Sequence, residues 1–390
     1  MKRTNLKYWL TSALVLACGC SSVPQKPDGA WTEKQTVYFD QMNVARAWTI
    51  SKGAGIKIGI VDGGFDYEHP GLKGRIQKIY SYPGALHPTD MRTLAHGTFA
   101  ASIIGAVPAD GGMTGVCPGC EMLGAEMGII EHWAIKNRLA FFKANPNATA
   151  QDYENSLEAR KTESAEFDNR WLAYVSSSVA GSVYALTDGG AKVIAMSLML
   201  AGLEGDNLKQ VEDAIAYAAA HDVVIVMGAG NNAQYIAAYP GPDAVTLIAG
   251  CSDGAAVWRQ TMNYKGKEIT QGTNYGPALD VLAPCGKVVV ANPHKPQWYK
   301  VSDGPRGPYD VAFTGPYEVY EQGGTSIAVP FAAGAAALVR AANPALTAAQ
   351  TANIMRAAAE DMGPKGRDDE SGWGRLNFYN AVLKATQRDK

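Results

Sequence analysis

Three side chains set far apart in this chain have the types that acyl transfer needs: an acid at Asp62, an imidazole at His96 and a hydroxyl at Ser326. A serine hydroxyl is a weak nucleophile until a base takes its proton, and an imidazole serves as that base when a carboxylate fixes its tautomer. Ser326 lies in GGTSIAVPFAAGAA, between Gly323-Gly324 and an apolar run that reads as a helix. The glycine pair gives conformational freedom and room beside the serine, and Pro330 is expected in the first turn of the helix. The small residues Ala332, Ala333, Gly334, Ala335 and Ala336 would let that helix run close under a sheet. On its own such a serine is more often a helix cap, so the chemistry depends on its partners.

Asp62 ends the apolar run Ile56 to Val61 and is followed by Gly63 and Gly64, the way an open α/β sheet presents a polar group at its carboxyl edge. His96 opens HGTFAASIIGA and is expected at the start of a small-residue helix, with Ala100, Ala101 and Ile104 turned inward. Asn231, in MGAGNNA, can donate a side-chain N–H beside a channel left by Gly228, Ala229 and Gly230. Asp66, Glu68 and His69 read as loop residues, because no second histidine completes a metal-ligating pattern, and Phe65 and Leu72 are expected to pack that loop against the body.

The elements that must position these groups alternate. Lys192 to Leu198, Val223 to Met227, Ala244 to Ala249 and Leu279 to Leu282 read as buried strands, with a helix over Leu208 to Ala220, which predicts a mainly parallel α/β sheet. From about Ile129 to Ala185 the chain has helical patches, among them Glu131 to Ala144 and the charged Tyr153 to Tyr174, read as a solvated insertion in preference to a partner surface. Pro293 to Pro316 reads as an ordered surface loop, with a rim over the cleft as one option and ordinary loop packing as the other. Thr347 and Gln350 form a capping-box pattern, and Ser371-Gly372-Trp373-Gly374 a turn before the closing segment Leu376 to Ala385. With neither an internal repeat nor a second core, one elaborated domain is expected.

The 390 residues carry a formal charge of −2, which gives no footprint for nucleic acid. Lys2, Arg3 and Lys7 precede the short apolar segment Tyr8 to Ala17 and then LVLACGCSS, an arrangement that resembles a bacterial lipoprotein signal, with Cys18 or Cys20 as the residue that receives lipid and an ordinary secretory signal as the alternative. Residues 1–20 are therefore read as a signal, 21–36 as a tether and 37–390 as the folded domain, placed in the cell envelope, at the outer membrane or cell surface, or secreted. Removal of the signal leaves 32 basic against 37 acidic side chains, a charge of about −5. No later run of about 20 residues reads as a membrane span. In an envelope Cys117-Pro-Gly-Cys120 is expected to close a local disulfide in preference to forming a redox or zinc site, and Cys251 and Cys285, each after a strand-like run, are expected to pair across loops.

Taken together, IKIGIVD ending in Asp62, HGTFAASIIGA beginning with His96 and GGTSIAVPFAAG around Ser326 resemble the subtilisin-like serine proteases over about Val37 to Ala385, with insertions near 129–180 and 290–318. That resemblance implies a three-layer α/β fold with a mainly parallel central sheet flanked by helices, and serine endopeptidase activity on protein or peptide substrates through Asp62, His96 and Ser326. It implies that Asn231 and the Ser326 N–H hold the oxyanion. It also implies that Ser197, Leu198, Met199, Gly228, Ala229 and Gly230 form the two walls around the side chain preceding the scissile bond, taken as medium or large and apolar. Gly63, Phe331, Met199 and Leu200 depart from the family pattern, and little chain precedes Val37 for a folded propeptide. These departures motivate a second reading, a catalytically quiet peptide-binding scaffold. A nucleotide-binding reading lacks both a dinucleotide fingerprint and a phosphate-binding loop with lysine. Relatives bind calcium in loops, yet no complete oxygen-ligand set stands out here, so no metal or other cofactor is assigned.

Overall fold

In the computed structural model, which describes residues 33–387 apart from 84–90, 109–111, 129–143, 146–147, 149–160, 265–266, 294–298, 305–306, 312–315 and 321–322, the apolar runs form one parallel sheet buried on both faces. Its strands are β1 (Lys57–Asp62), β2 (Ile76–Ser81), β3 (Glu121–Glu126), β4 (Val193–Met196), β5 (Val224–Gly228), β6 (Thr246–Asp253), a short antiparallel β7 (Ala256–Val257) and, after the separate hairpin β8 (Arg259–Tyr264) with β9 (Lys267–Gly272), β10 (Val281–Pro284). The parallel order is β10-β6-β5-β4-β1-β3-β2, so the first strand lies inside the sheet with β4 and β3 on either side. Side chains alternate between two cores with the period of two that a strand imposes: Val193 and Ala195 face one, Ile194 and Met196 the other.

Eight helices are present among the described residues: α1 (Glu33–Gln41), α2 (Val44–Ala47), α3 (Met91–Gly105), α4 (Lys161–Asp188), α5 (Gly205–Ala220), α6 (Thr325–Ala342), α7 (Ala348–Ala358) and α8 (Phe378–Thr386). Helices α3 and α6 cover one face of the sheet and α4 and α5 the other, which makes three layers. Helix α6 is long and apolar enough to cross a membrane by composition, but it is the central core helix, buried from Ile327 to Arg340. Thr347 caps α7 through the reciprocal bonds expected with Gln350. Both expected disulfides are present, Cys117–Cys120 and Cys251–Cys285. The first closes a turn that Arg75 clamps through the carbonyls of Pro118 and Cys120.

Several boundaries differ from the sequence reading, each for a tertiary reason. The chain is already helical at Glu33, inside the expected tether, because buried Gln35 makes two side-chain bonds to the backbone of Thr114. The signal, Cys18 and Cys20 lie outside the described residues, as do most of Glu131 to Ala144 and the start of Tyr153 to Tyr174. Beyond these patches α4 continues to Asp188, past the expected end of the insertion near 180, and Val179, Val183 and Leu186 in its second half are fully buried against the sheet. Gly59 on β1 makes this approach possible, since a Cβ there would lie 2.9 Å from both Leu186 methyl carbons. The expected loop near 290–318 holds two hairpin pairings, β11 (Val288–Ala291) with β14 (Tyr317–Tyr320) and, between them, β12 (Tyr299–Gly304) with β13 (Gly307–Val311). The outer pair is docked: Ala291 N donates to Ser102 Oγ of α3 at 3.0 Å, and fully buried His69 bonds the Pro316 carbonyl through Nε2 at 2.8 Å while its Nδ1 accepts from Gly71 N.

Candidate active site

The carboxyl ends of the parallel strands form one edge, and the expected chemistry gathers there. Asp62 is the last residue of β1 and 3% exposed. Its carboxylate accepts from the Gly63 N–H at 2.7 Å and meets His96 Nδ1 at 2.7 and 2.9 Å through its two oxygens. An imidazole held in this way by a carboxylate presents Nε2 as the nitrogen free for proton transfer. His96 sits inside α3, which begins at Met91 and not at the histidine as the sequence suggested. Gly97 lets that helix approach, because a Cβ there would stand 2.1 Å from the Gly64 carbonyl oxygen. Phe99 contacts the histidine ring edge-on at 4.7 Å between centroids, and Tyr320 of β14, just beyond the Pro293 to Pro316 stretch, stacks on Phe99.

Burial pulls the His96 pKa down, but the charge of Asp62 and its hydrogen bond outweigh that, and the value is raised above the usual 6.5. A second buried carboxylate, Glu126 at the end of β3, lies in register with Asp62. It is neutralised by an ion pair with Lys78 and accepts from Ser81 Oγ at 2.9 Å. Sequence reading passed over Glu126, whose strand shows only an apolar run.

Ser326 is the second residue of α6, with extended Gly324 at its N-cap, so the loop-to-helix position holds. The glycine is needed for space and not for an unusual backbone: its φ is −93°, and a Cβ would lie 2.7 Å from both Nδ2 and Oδ1 of Asn231. Pro330 falls in the second turn, not the first. At that place it lacks the N–H that would otherwise bond the Ser326 carbonyl four residues back. The freed carbonyl accepts from Ser197 Oγ at 3.1 Å, and Ser326 Oγ donates in return to the Ser197 carbonyl at 3.1 Å. Ser197 directly follows β4, whose Met196 pairs with Val61, so the residue that holds Ser326 emerges beside the residue that holds His96. In this structure Ser326 Oγ is engaged with the Ser197 carbonyl.

Asn231 Oδ1 accepts from the Thr325 N–H at 2.8 Å, which fixes the amide plane with its NH2 as the available donor. Thr325 also receives the Gly230 N–H on its hydroxyl at 3.0 Å, and so orders both sides of the asparagine. This threonine was missed, although its place next to Ser326 was a signal. The two expected walls are adjacent: Gly228 N donates to the Leu198 carbonyl at 3.1 Å, with Ala229 buried behind them. Leu200 is buried in the core under α5, while Met199 is 42% exposed beside Gly230. Phe331 packs edge-on against Tyr38 of α1 at 5.6 Å, a core contact that leaves the reacting groups untouched.

The chain is similar to known proteins in sequence and in fold. Residues 53–374 match the model of the subtilase family, Peptidase_S8. The chain is 26% identical over 368 residues to a thermophilic serine proteinase of Bacillus sp. (strain AK1), covering 91% of this chain and 70% of the relative. It is 26% identical over 346 residues to thermitase of Thermoactinomyces vulgaris, covering 88% and 94%. Its fold superimposes on MycP1 from Mycobacterium smegmatis with a TM-score of 0.62 at 22% identity, over 88% of this chain and 83% of that one.

Proposed function

The chain belongs to the subtilase family and has its serine endopeptidase activity, and from that premise we propose that Asp62, His96 and Ser326 are the reacting triad with Asn231 as an oxyanion donor. The observation that carries this reading is the carboxylate–imidazole pair at 2.7 Å on β1, next to the strand end that holds Ser326. Ser326 Oγ adds to the peptide carbonyl as its proton passes to His96 Nε2. The oxygen that gains charge is held by Asn231 Nδ2 and the Ser326 N–H, donors aimed before the reaction begins. The C–N bond then breaks, with His96 giving its proton to the leaving amine. Water adds to the acyl-serine ester by the same route, and Ser326 leaves with its proton restored. Asp62 stays ionised throughout and favours the imidazolium.

Leu198 and Ala229 give the slot before the scissile bond apolar walls, and Met199 limits the size of side chain they admit. Export and lipid attachment at Cys18 or Cys20 are part of the same proposal. Four described cysteines are joined in two disulfides, which supports an oxidising compartment. Fluorophosphonate labelling followed by peptide mapping tests the nucleophile: the label is expected on Ser326, with casein cleavage lost in Ser326→Ala. Equal cleavage by both proteins would reject the assignment.

A further inference from the structure

Met199 stands on one wall of the slot that receives the side chain before the scissile bond, and Gly230 stands on the other. A Cβ placed on Gly230 would lie 2.4 Å from Met199 Sδ and 3.1 Å from its Cγ. The methionine side chain therefore reaches across to the opposite wall and rests on the glycine. Gly230 has φ +91°, a backbone that L side chains rarely adopt, so the ledge under the sulfur is bare for conformational as well as spatial reasons. Its N–H is tied to Thr325 Oγ1, so that wall is not free to draw back.

The methionine is held from a third side. Asn274, 1% exposed, donates from Nδ2 to Met199 Sδ at 3.3 Å. The same Asn274 accepts the N–H groups of Asn232 and Gln234 on Oδ1, each at 3.0 Å, so its amide cannot turn away without leaving two backbone donors unpaired. A flexible thioether would otherwise sample several rotamers. Here a buried amide selects the one that bridges the slot.

We infer that Met199, positioned by Asn274, closes the specificity slot to large side chains, so that this protease cleaves after small residues, glycine, alanine or serine. This rests on the triad assigned above, and it replaces the medium or large apolar residue expected from sequence. The substrate class is then extended polypeptide segments rich in small residues.

The test uses internally quenched peptides that differ only in having Ala, Leu or Phe before the scissile bond, with fluorophosphonate labelling of each protein in parallel. The wild type is expected to favour Ala over Phe in kcat/KM by about tenfold or more, and Met199→Gly to raise the Phe-to-Ala ratio by about tenfold. Met199→Leu, which keeps the bulk without the sulfur, is expected to hold that ratio within about threefold of wild type. Asn274→Ala is expected to relax selectivity toward the Met199→Gly pattern. A wild type that prefers Phe or Leu, or a ratio that Met199→Gly leaves unchanged, overturns the inference while Ser326 still takes the label. Absence of labelling together with absence of cleavage would instead sink the triad assignment, and this inference with it.

Discussion

In the proposed triad His96 works only when neutral, so the environment that raises its pKa moves the working range of the enzyme. Burial opposes the imidazolium, and Asp62 more than compensates through charge and hydrogen bond. The acid limb of kcat/KM is therefore expected above pH 6.5, the usual histidine value, with activity rising as the pH passes through the raised pKa. In Asp62→Asn the supporting charge is gone and burial acts alone. The limb should then fall below the wild-type position while kcat drops by about 10⁴-fold, because the amide no longer selects the tautomer. A pH–rate profile of both proteins checks this, and an unmoved limb would show that Asp62 does not govern His96. The sign for stability is the reverse of that for activity. A raised histidine pKa stabilises the fold fully below pH 6.5, and that contribution disappears as pH rises through the folded value.

At the scale of elements, two pieces serve the site from a distance. Helix α6 delivers Ser326 from its first turn, and Pro330 one turn further on leaves the serine carbonyl free for Ser197. The resulting pair of hydroxyl–carbonyl bonds ties the helix to the end of β4 across 129 residues of sequence. Helix α4 acts through packing. Its buried half fills the layer opposite α6, and Leu186 sits in the hollow that Gly59 leaves on β1. Leu186→Ala is expected to cost about 2–5 kcal/mol, the range for a leucine removed from a core that cannot fully collapse. Urea unfolding measures it, and a loss below about 1 kcal/mol would return the helix to the status of a peripheral insertion.

For the whole molecule the questions are where it is held and what parts of it could be read in advance. If lipid holds the chain at a membrane, the mature N-terminal peptide carries acyl chains on Cys18 or Cys20, and substitution of that cysteine by serine releases the protein to the soluble fraction. Mass spectrometry and fractionation of Cys18→Ser and Cys20→Ser check this; a chain that fractionates like wild type in both variants, without acyl mass, is secreted instead. The strands were legible because their signals are local. An apolar run of four to six residues buried on both faces, closed by an acid or a glycine, marks a parallel strand and its carboxyl edge wherever it falls. Asp62 and Asn231 follow such runs, whereas His96 and Ser326 stand before small-residue helical runs, and the order of these motifs along the chain suggested the proposed triad. The alanine-rich run after Ser326 likewise marked a helix that can lie close under a sheet, and α6 is buried from Ile327 to Arg340. No comparable mark distinguished the second half of α4, because its serines and alanines suit a solvated face as well as a tight one, and only the hollow at Gly59 decides between them. Tertiary structure alone set Asn274 against Met199, 75 residues apart, and turned an exposed methionine into a bridge over Gly230. A residue type constrains what its own backbone can do, whereas the width of a slot depends on how far apart two strand ends stand and on which side chain spans the gap.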